Sequence, residues 1–123
     1  MQTKVIYTIY MALCVVTGKS YIGFTNNFKK RKYNHIRSAI NGYNSSPLFY
    51  DAIREFGVDS IKWTILYQSP TKETTYKIME PFYIALYNTN SILENSNGYN
   101  SSSGGEGSYK RTKQRNINYG TLN

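Results

Sequence analysis

The sequence is poor in the residues that build disulfides and zinc sites. It has one cysteine, Cys14, and one histidine, His35, among 123 residues. An internal disulfide is therefore excluded, and a zinc site made by this chain alone would need three or four such ligands. Any bound metal is expected to be a hard cation held by oxygen. A single cysteine also favours a reducing compartment, such as the cytoplasm.

Acidic residues and long apolar runs are scarce as well. No stretch is apolar enough for a transmembrane helix and no secretory signal is recognisable, so we expect no membrane partner. Only 7 Asp and Glu accompany 15 Lys and Arg, which gives a formal net charge of +8 and a pI near 9.6. This balance favours nucleic acid as the partner. Charge alone leaves open a small basic protein without a specific ligand.

Periodicity predicts three strands. Apolar residues alternate along 4–13, which is typical of a strand, and the turn signal at 16–19 predicts an antiparallel return over 20–24. A third strand is predicted over 61–67, where one face would carry Ile61, Trp63, Ile65 and Tyr67.

Three helices are predicted between and after these strands. The first covers 28–40, capped by Asn26 or Asn27 and ended by Asn41-Gly42. Its sheet-facing residues would be Phe28, Ile36, Ala39 and Ile40. The second begins at Pro47 and stops at Gly57, with an apolar face of Leu48, Phe49, Ala52, Ile53 and Phe56, and the third covers 71–87. This order predicts an α+β domain with a small three-stranded antiparallel sheet flanked by helices.

Five short sequence elements occur in a fixed order. They are Thr8-Ile9-Tyr10, Tyr21-Ile22-Gly23, the pair Arg31 and His35, Glu80, and Asn97-Gly98-Tyr99-Asn100. Together they resemble the catalytic domain of the GIY-YIG nucleases, and most closely its phage-type homing endonuclease branch. The resemblance implies a nuclease domain over residues 1–100, and the composition predicts a flexible, Ser/Gly-rich and basic tail over 101–123. The resemblance further implies a metal-dependent endonuclease that hydrolyses phosphodiester bonds of double-stranded DNA.

The resemblance also assigns roles. Tyr10 would take the proton of the attacking water and Tyr21 would position it, although strand tyrosines are most often packing residues. Arg31 would bind phosphate oxygens, and His35, one helical turn away, would relay a proton or hold a tyrosine. Asn100 would fix a tyrosine or the end of the fold.

Glu80 has support of its own. It falls in the middle of the apolar stripe of the third helix, where a carboxylate is costly unless it is paired or binds metal. The resemblance implies that Glu80 is the protein ligand of a Mg²⁺ or Mn²⁺ ion. A salt bridge to Arg31 or a lysine is the alternative.

Basic residues outside these elements are candidates for contacts with the DNA backbone. On the first helix they are Lys29, Lys30, Lys32 and Arg37, and in the tail they are Lys110, Arg111, Lys113 and Arg115. The neutral Asn44, in the loop after the first helix, could also hydrogen-bond a phosphate. A solvated basic helix and a solvated terminus are the alternatives.

Three residues depart from the family pattern. Thr8 stands where the family name has glycine, and Asn44 stands where some relatives carry a second histidine. Pro81 directly follows Glu80, and proline inside a helix removes a hydrogen bond and disfavours helical geometry at the preceding residue. A displaced Glu80 would leave a catalytically impaired nucleic-acid-binding module of the same fold, which is the alternative function. Homing relatives carry a long DNA-binding region after the flexible stretch, whereas this sequence stops at Asn123. We therefore expect either that target choice rests on this small domain, including the option of a dimer on DNA, or that the chain is a truncated or degenerate relative.

Overall fold

The fold is a three-stranded antiparallel sheet with helices on both faces. The computed structural model describes residues 4–93, 95–102 and 104. Strand β1 (Tyr7–Cys14) lies in the middle of the sheet, between β2 (Ser20–Thr25) and β3 (Ile61–Ser69). The predicted fold class is confirmed, and each strand begins or ends within three residues of its predicted bounds.

The first two helices are those predicted. Helix α1 covers Phe28–Ile40, and the Asn27 side chain caps it by accepting a hydrogen bond from the Lys30 N–H at 3.1 Å. Helix α2 covers Pro47–Phe56 and ends at Gly57, whose φ of 92° is one that side chains rarely adopt. A 3₁₀ turn, Val58–Ser60, leads into β3.

Two separate clusters cover the two faces of the sheet. The larger, which we call the aromatic core, packs α1 and α2 on one face and contains Ala12, Cys14, Ala39, Phe49, Tyr50, Ala52, Ile53, Ile61 and Tyr99. The smaller, the aliphatic cluster, contains Ile9, Ile22 and Ile84 on the other face. Successive residues of a strand point to opposite faces, so the central strand β1 contributes to both clusters.

A bulge interrupts the pairing of β1 with β3 beside Tyr10. Ile9 pairs with Tyr67 and Tyr10 pairs with Ile65, which leaves Leu66 as an additional residue in β3. The side-chain alternation therefore shifts at this point. The prediction of one face for the odd-numbered residues of β3 is wrong, because Trp63 packs against the aromatic core and Tyr67 against the aliphatic cluster.

Two apolar residues of the predicted helices are exposed. Ile40, which was predicted to face the sheet, is 65% exposed and Leu48 is 45% exposed. Both lie at the helix ends next to the loop that joins α1 to α2. In their place α1 buries His35 beside Ala39.

Pro81 is accommodated by a change of helix type. A π-helical turn, Thr74–Met79, precedes helix α3 (Glu80–Leu86), and the Glu80 N–H bonds to the Thr75 carbonyl five residues earlier. Pro81 then lies in the first turn of α3, where its missing N–H costs little. The expectation that Pro81 moves Glu80 out of helical geometry is wrong, since Glu80 has φ −62° and ψ −51°.

Across residues 4–93, 95–102 and 104, no helix is both long and apolar enough to cross a bilayer.

Candidate active site

Tyr10 lies at the centre of the sheet against a glycine of the neighbouring strand. It is fully buried in β1 and pairs with Gly23 of β2. A Cβ atom on Gly23 would lie 2.1 Å from Cζ of the Tyr10 ring. The glycine of Tyr21-Ile22-Gly23 is therefore needed because the tyrosine ring packs directly on its backbone.

His35 is held between two phenols. Its Nε2 lies 2.7 Å from Tyr10 Oη, and its Nδ1 lies 2.8 Å from Tyr50 Oη. Helix α1 carries the imidazole into the protein, where it is 1% exposed and packs edge-on to Phe49 and nearly parallel to Trp63. We call Tyr10, His35 and Tyr50 the buried relay.

Burial makes the neutral forms of the buried relay the stable ones. Desolvation, reinforced by the nearby Arg31 cation, lowers the pKa of His35 to about 3. Desolvation likewise raises the pKa of Tyr10 well above its usual value, and Tyr21 and Glu80 add to the rise, while Arg31 opposes it. Neither group is charged at neutral pH before a substrate arrives.

Arg31 sits one helical turn before His35, on the exposed side of α1. Partial desolvation lowers its pKa, but the phenols of Tyr10 and Tyr21 more than offset this, so that the pKa ends above its usual value. Its charge in turn opposes the rise in the pKa of Tyr10. Arg31 therefore remains a cation that links the buried relay to the protein surface.

Glu80 lines an open cleft at the edge strand β2. The cleft, with about 310 Å³ of space continuous with solvent, is lined by Tyr21, Ser46, Glu80, Ile84, Tyr99, Asn100, Ser101, Ser102 and Gly104. We call it the Glu80 cleft. Glu80 itself is 5% exposed, as its position in the apolar stripe predicted.

Asn100 closes the end of the fold onto β2. Its Oδ1 accepts from the Ile22 N–H and its Nδ2 donates to the Ile22 carbonyl, both at 2.8 Å. The amide thus satisfies both backbone groups of Ile22, as a neighbouring strand would, and fixes the backbone next to Tyr21. Asn100 bonds to the residue that follows Tyr21, and its expected role stays a prediction.

Tyr21 connects the two parts of the site. Its ring lies 6.3 Å from the Tyr10 ring and 5.5 Å from the His35 ring, between centroids, and stacks on Phe49 at 4.6 Å. It also lines the Glu80 cleft. Tyr21 of β2 is therefore surrounded by side chains from β1, α1, α3 and the segment after residue 96.

The donor set suits a hard divalent ion. Within residues 4–93, 95–102 and 104 there is no group of three His, Cys, Asp or Glu residues that could hold a metal. Glu80 instead lies among the hydroxyl- and amide-bearing residues Ser46, Asn100, Ser101 and Ser102. One carboxylate with oxygen donors fits magnesium, which keeps its waters and takes further ligands from a substrate phosphate.

The predicted DNA-binding residues differ in their surroundings. Lys29 and Lys30 are exposed on α1. Lys32 lies over the Trp63 ring at 5.7 Å, and Arg37 donates to Tyr33 Oη at 3.0 Å. Asn44 accepts a hydrogen bond from Arg54 at 2.8 Å. The tail candidates lie outside the described residues: Lys110, Arg111, Lys113 and Arg115.

Tyr50 was not predicted as part of the site. It is 3% exposed and directly follows Phe49 in α2. In the sequence it is one of 13 tyrosines, with no motif around it. Two adjacent buried aromatics on a short helix signal packing, and only the tertiary structure brings the Tyr50 hydroxyl to His35.

Comparison with known proteins identifies the domain. The GIY-YIG catalytic domain profile matches residues 6–100. Among solved structures, a mutant form of the catalytic domain of intron endonuclease I-TevI is similar at 23% identity and a TM-score of 0.69, over 80% of this chain and 95% of that one. A second structure, of the catalytic domain of homing endonuclease I-TevI, has 24% identity and a TM-score of 0.63, over 76% and 95%. A search of the curated proteins finds no significant match. The profile match covers most of the chain and the described fold agrees with it, so the chain belongs to the GIY-YIG catalytic domain family.

Proposed function

We propose that this protein is a magnesium-dependent endonuclease that hydrolyses phosphodiester bonds of double-stranded DNA. The observation that carries the proposal is the position of Tyr21, which contacts the buried relay and lines the Glu80 cleft. Groups suited to proton transfer, to phosphate binding and to metal binding therefore surround one tyrosine, which supports the proposal. The net charge of +8 supports a polyanionic substrate.

Arg31 is the residue proposed to receive the scissile phosphate. Its guanidinium can donate two parallel hydrogen bonds to non-bridging oxygens and offset charge that grows in the transition state. A phosphate bound there would also neutralise the cation that helps to lower the pKa of His35. Substrate binding would therefore make His35 a better proton acceptor than it is in the free protein.

Tyr10 is proposed as the group that takes the proton of the attacking water. Because its pKa is raised, the phenol is protonated in the free protein and cannot act as a preformed phenolate. It can accept the water proton only as its own proton passes to His35 Nε2, 2.7 Å away. Tyr21 would position the water or the phosphate between the two parts of the site.

Glu80 is proposed to hold the metal, with the oxygens of the cleft and of the substrate beside it. A bound magnesium ion would polarise the scissile phosphate and stabilise the leaving 3′ oxygen. The expected products are a 5′ phosphate and a 3′ hydroxyl. The helical geometry of Glu80 supports this role, because the π-helical turn before Pro81 leaves the carboxylate facing the cleft.

The test is cleavage of supercoiled plasmid with magnesium, manganese or EDTA. Wild type, Glu80→Ala and Glu55→Ala are compared; Glu55 is an exposed acid on α2 and serves as the matched control. We expect metal-dependent cleavage by wild type and Glu55→Ala and its loss in Glu80→Ala. Cleavage that survives in Glu80→Ala would exclude Glu80 as the metal ligand.

An impaired nucleic-acid-binding module is the other outcome of this test. Such a protein would leave the plasmid intact, yet bind DNA with an affinity that depends on salt but not on Glu80 or on the divalent ion. DNA binding measured on the same three proteins therefore separates the two functions.

A further inference from the structure

The His35 ring is hydrogen-bonded on both sides, and the proposed function uses only one of them. Nε2 meets Tyr10 at 2.7 Å, whereas Nδ1 meets Tyr50 at 2.8 Å. Tyr50 comes from α2, a different element from those that carry Tyr10 and His35, and it is 3% exposed. A second buried hydrogen bond to the same imidazole constrains where its proton can lie.

A neutral imidazole has one N–H and one acceptor nitrogen. His35 is 1% exposed and lies beside the Arg31 cation, so the neutral form is favoured. Consequently one of the two phenols must donate to the ring and the other must accept from it. The hydrogen bond at one ring nitrogen therefore determines whether the other nitrogen carries the proton or is an acceptor.

The Arg31 cation favours one direction of this chain of hydrogen bonds. It acts on the Tyr10 phenol and favours an orientation with the oxygen lone pairs towards the guanidinium and the O–H towards His35 Nε2, 2.7 Å away. With the Tyr10 proton directed to Nε2, the single imidazole proton lies on Nδ1, from which it is donated to Tyr50 Oη at 2.8 Å.

We propose that Tyr50 is a positioning residue that holds His35 in the Nδ1–H tautomer and keeps Nε2 ready to accept the Tyr10 proton. The catalytic part of this proposal rests on the proposed function, the hydrolysis of a phosphodiester bond.

In the hydrolysis the water oxygen bonds to phosphorus and the bond to the 3′ oxygen breaks. The water proton passes to Tyr10 Oη, and the Tyr10 proton passes to His35 Nε2. The 3′ oxygen takes a proton from solvent, and His35 returns one to solvent after product release. Tyr50 has the role that the third group has in nucleophile–base–orienting-group triads.

The tautomer can be measured directly because His35 is the only histidine in the sequence. Two-bond ¹H–¹⁵N NMR correlation of the ¹⁵N-labelled protein at pH 7.5 distinguishes the Nδ1–H from the Nε2–H form without assignment. Wild type is expected to be Nδ1–H. Tyr50→Phe keeps the ring, which packs 5.5 Å from the imidazole, and removes only the hydroxyl, so the Nε2–H form should appear. Tyr43→Phe, which alters a tyrosine that is 64% exposed, is the matched control and should leave the spectrum unchanged.

Kinetics provide the second readout. Tyr50→Phe should lower kcat about 10- to 100-fold, as the loss of a group that orients a metal-ligating histidine does, with little change in KM. Tyr43→Phe should keep wild-type kcat and KM.

Two results would overturn the proposal. One is a wild-type His35 that carries its proton on Nε2, which can be seen even if Tyr50→Phe fails to fold. The other is a tautomer change in Tyr50→Phe with undiminished kcat. If wild type is Nδ1–H but cleaves no DNA, the proposed function fails while the structural part of this inference stands, so the two failures are distinguishable.

Discussion

The two parts of the site are built in opposite ways. The buried relay lies beside the aromatic core and shares Tyr50 with it; its Tyr10 is fully buried, and desolvation favours the neutral form of that phenol. The Glu80 cleft is open at the sheet edge, and its lining mixes a carboxylate with hydroxyls and an amide from distant parts of the chain. The first part is closely packed, whereas the second is continuous with solvent. In the proposed function, close placement would suit proton transfer and access would suit the binding of a cation and a phosphate.

The largest effect is expected on DNA cleavage when Glu80 in the Glu80 cleft is replaced, and it should occur without a loss of stability. Glu80→Gln keeps the shape of the side chain but removes the charge that a magnesium ion needs. Since such an ion supplies several kcal/mol of transition-state stabilisation, cleavage should fall about 1000-fold or more. Glutamine keeps one oxygen acceptor in the same place and avoids the cost of burying a charge, so the thermal midpoint should stay close to that of the wild type.

Parallel plasmid cleavage and thermal melts of wild type and Glu80→Gln check this. A large fall in the thermal midpoint would show that Glu80 is a structural ion-pair partner, which is the alternative interpretation of its sequence position.

The next largest effect is expected from a steric clash with Tyr10 of the buried relay. In Gly23→Ala the new methyl would lie 2.1 Å from the Tyr10 ring, so the ring or strand β2 must move. Overpacking of this kind costs about 1–3 kcal/mol. Activity should fall as well, because Tyr10 would leave His35.

Urea unfolding measures the loss, with Gly18→Ala as the comparison. Gly18 has φ of 77°, and a methyl group there would meet nothing within 4 Å, so that change adds backbone strain without a clash. If Gly23→Ala were the milder of the two, direct packing of Tyr10 on this glycine would be disproved.

A smaller, graded effect follows from the buried imidazole. Below its ordinary pKa of about 6.5 the unfolded chain protonates His35, while the folded protein keeps it neutral until the pH nears about 3. The unfolded state then binds more protons, so stability falls as the pH falls through this window, by up to about 1.4 kcal/mol per unit.

Unfolding free energies of wild type and His35→Gln between pH 7 and pH 4 test this sign. The variant lacks the titration and should lose less stability on acidification. Curves that run parallel would mean that His35 titrates alike in both states.

The smallest effect is expected on the outer surface of α1. Lys29→Ala should weaken DNA binding in a way that depends on salt, and it should reduce the salt slope of log K by about 1, since one phosphate contact is lost. Lys62→Ala, an exposed lysine on β3, is the comparison. Equal slopes for both variants would show that the basic side of α1 is not the DNA-binding surface.

Local patterns predicted the elements well where neighbours in sequence decide the outcome. The Asn27 cap, Pro47 at the start of α2 and Gly57 at its end are local features, and the structure has each helix there. The π-helical turn before Pro81 and the bulge beside Tyr10 were not foreseeable, because they depend on how α3 and β3 fit the remainder of the fold.

The sequence by itself determined the α+β fold and its family, since strand periodicity, helix caps and five ordered elements are all readable along the chain. Only the tertiary structure decided which side chains meet. It brought Tyr50 to His35 across 15 residues and Asn100 to Ile22 across 78. The physical reason is that a hydrogen bond between distant residues leaves no periodic trace in a sequence, whereas burial and caps do.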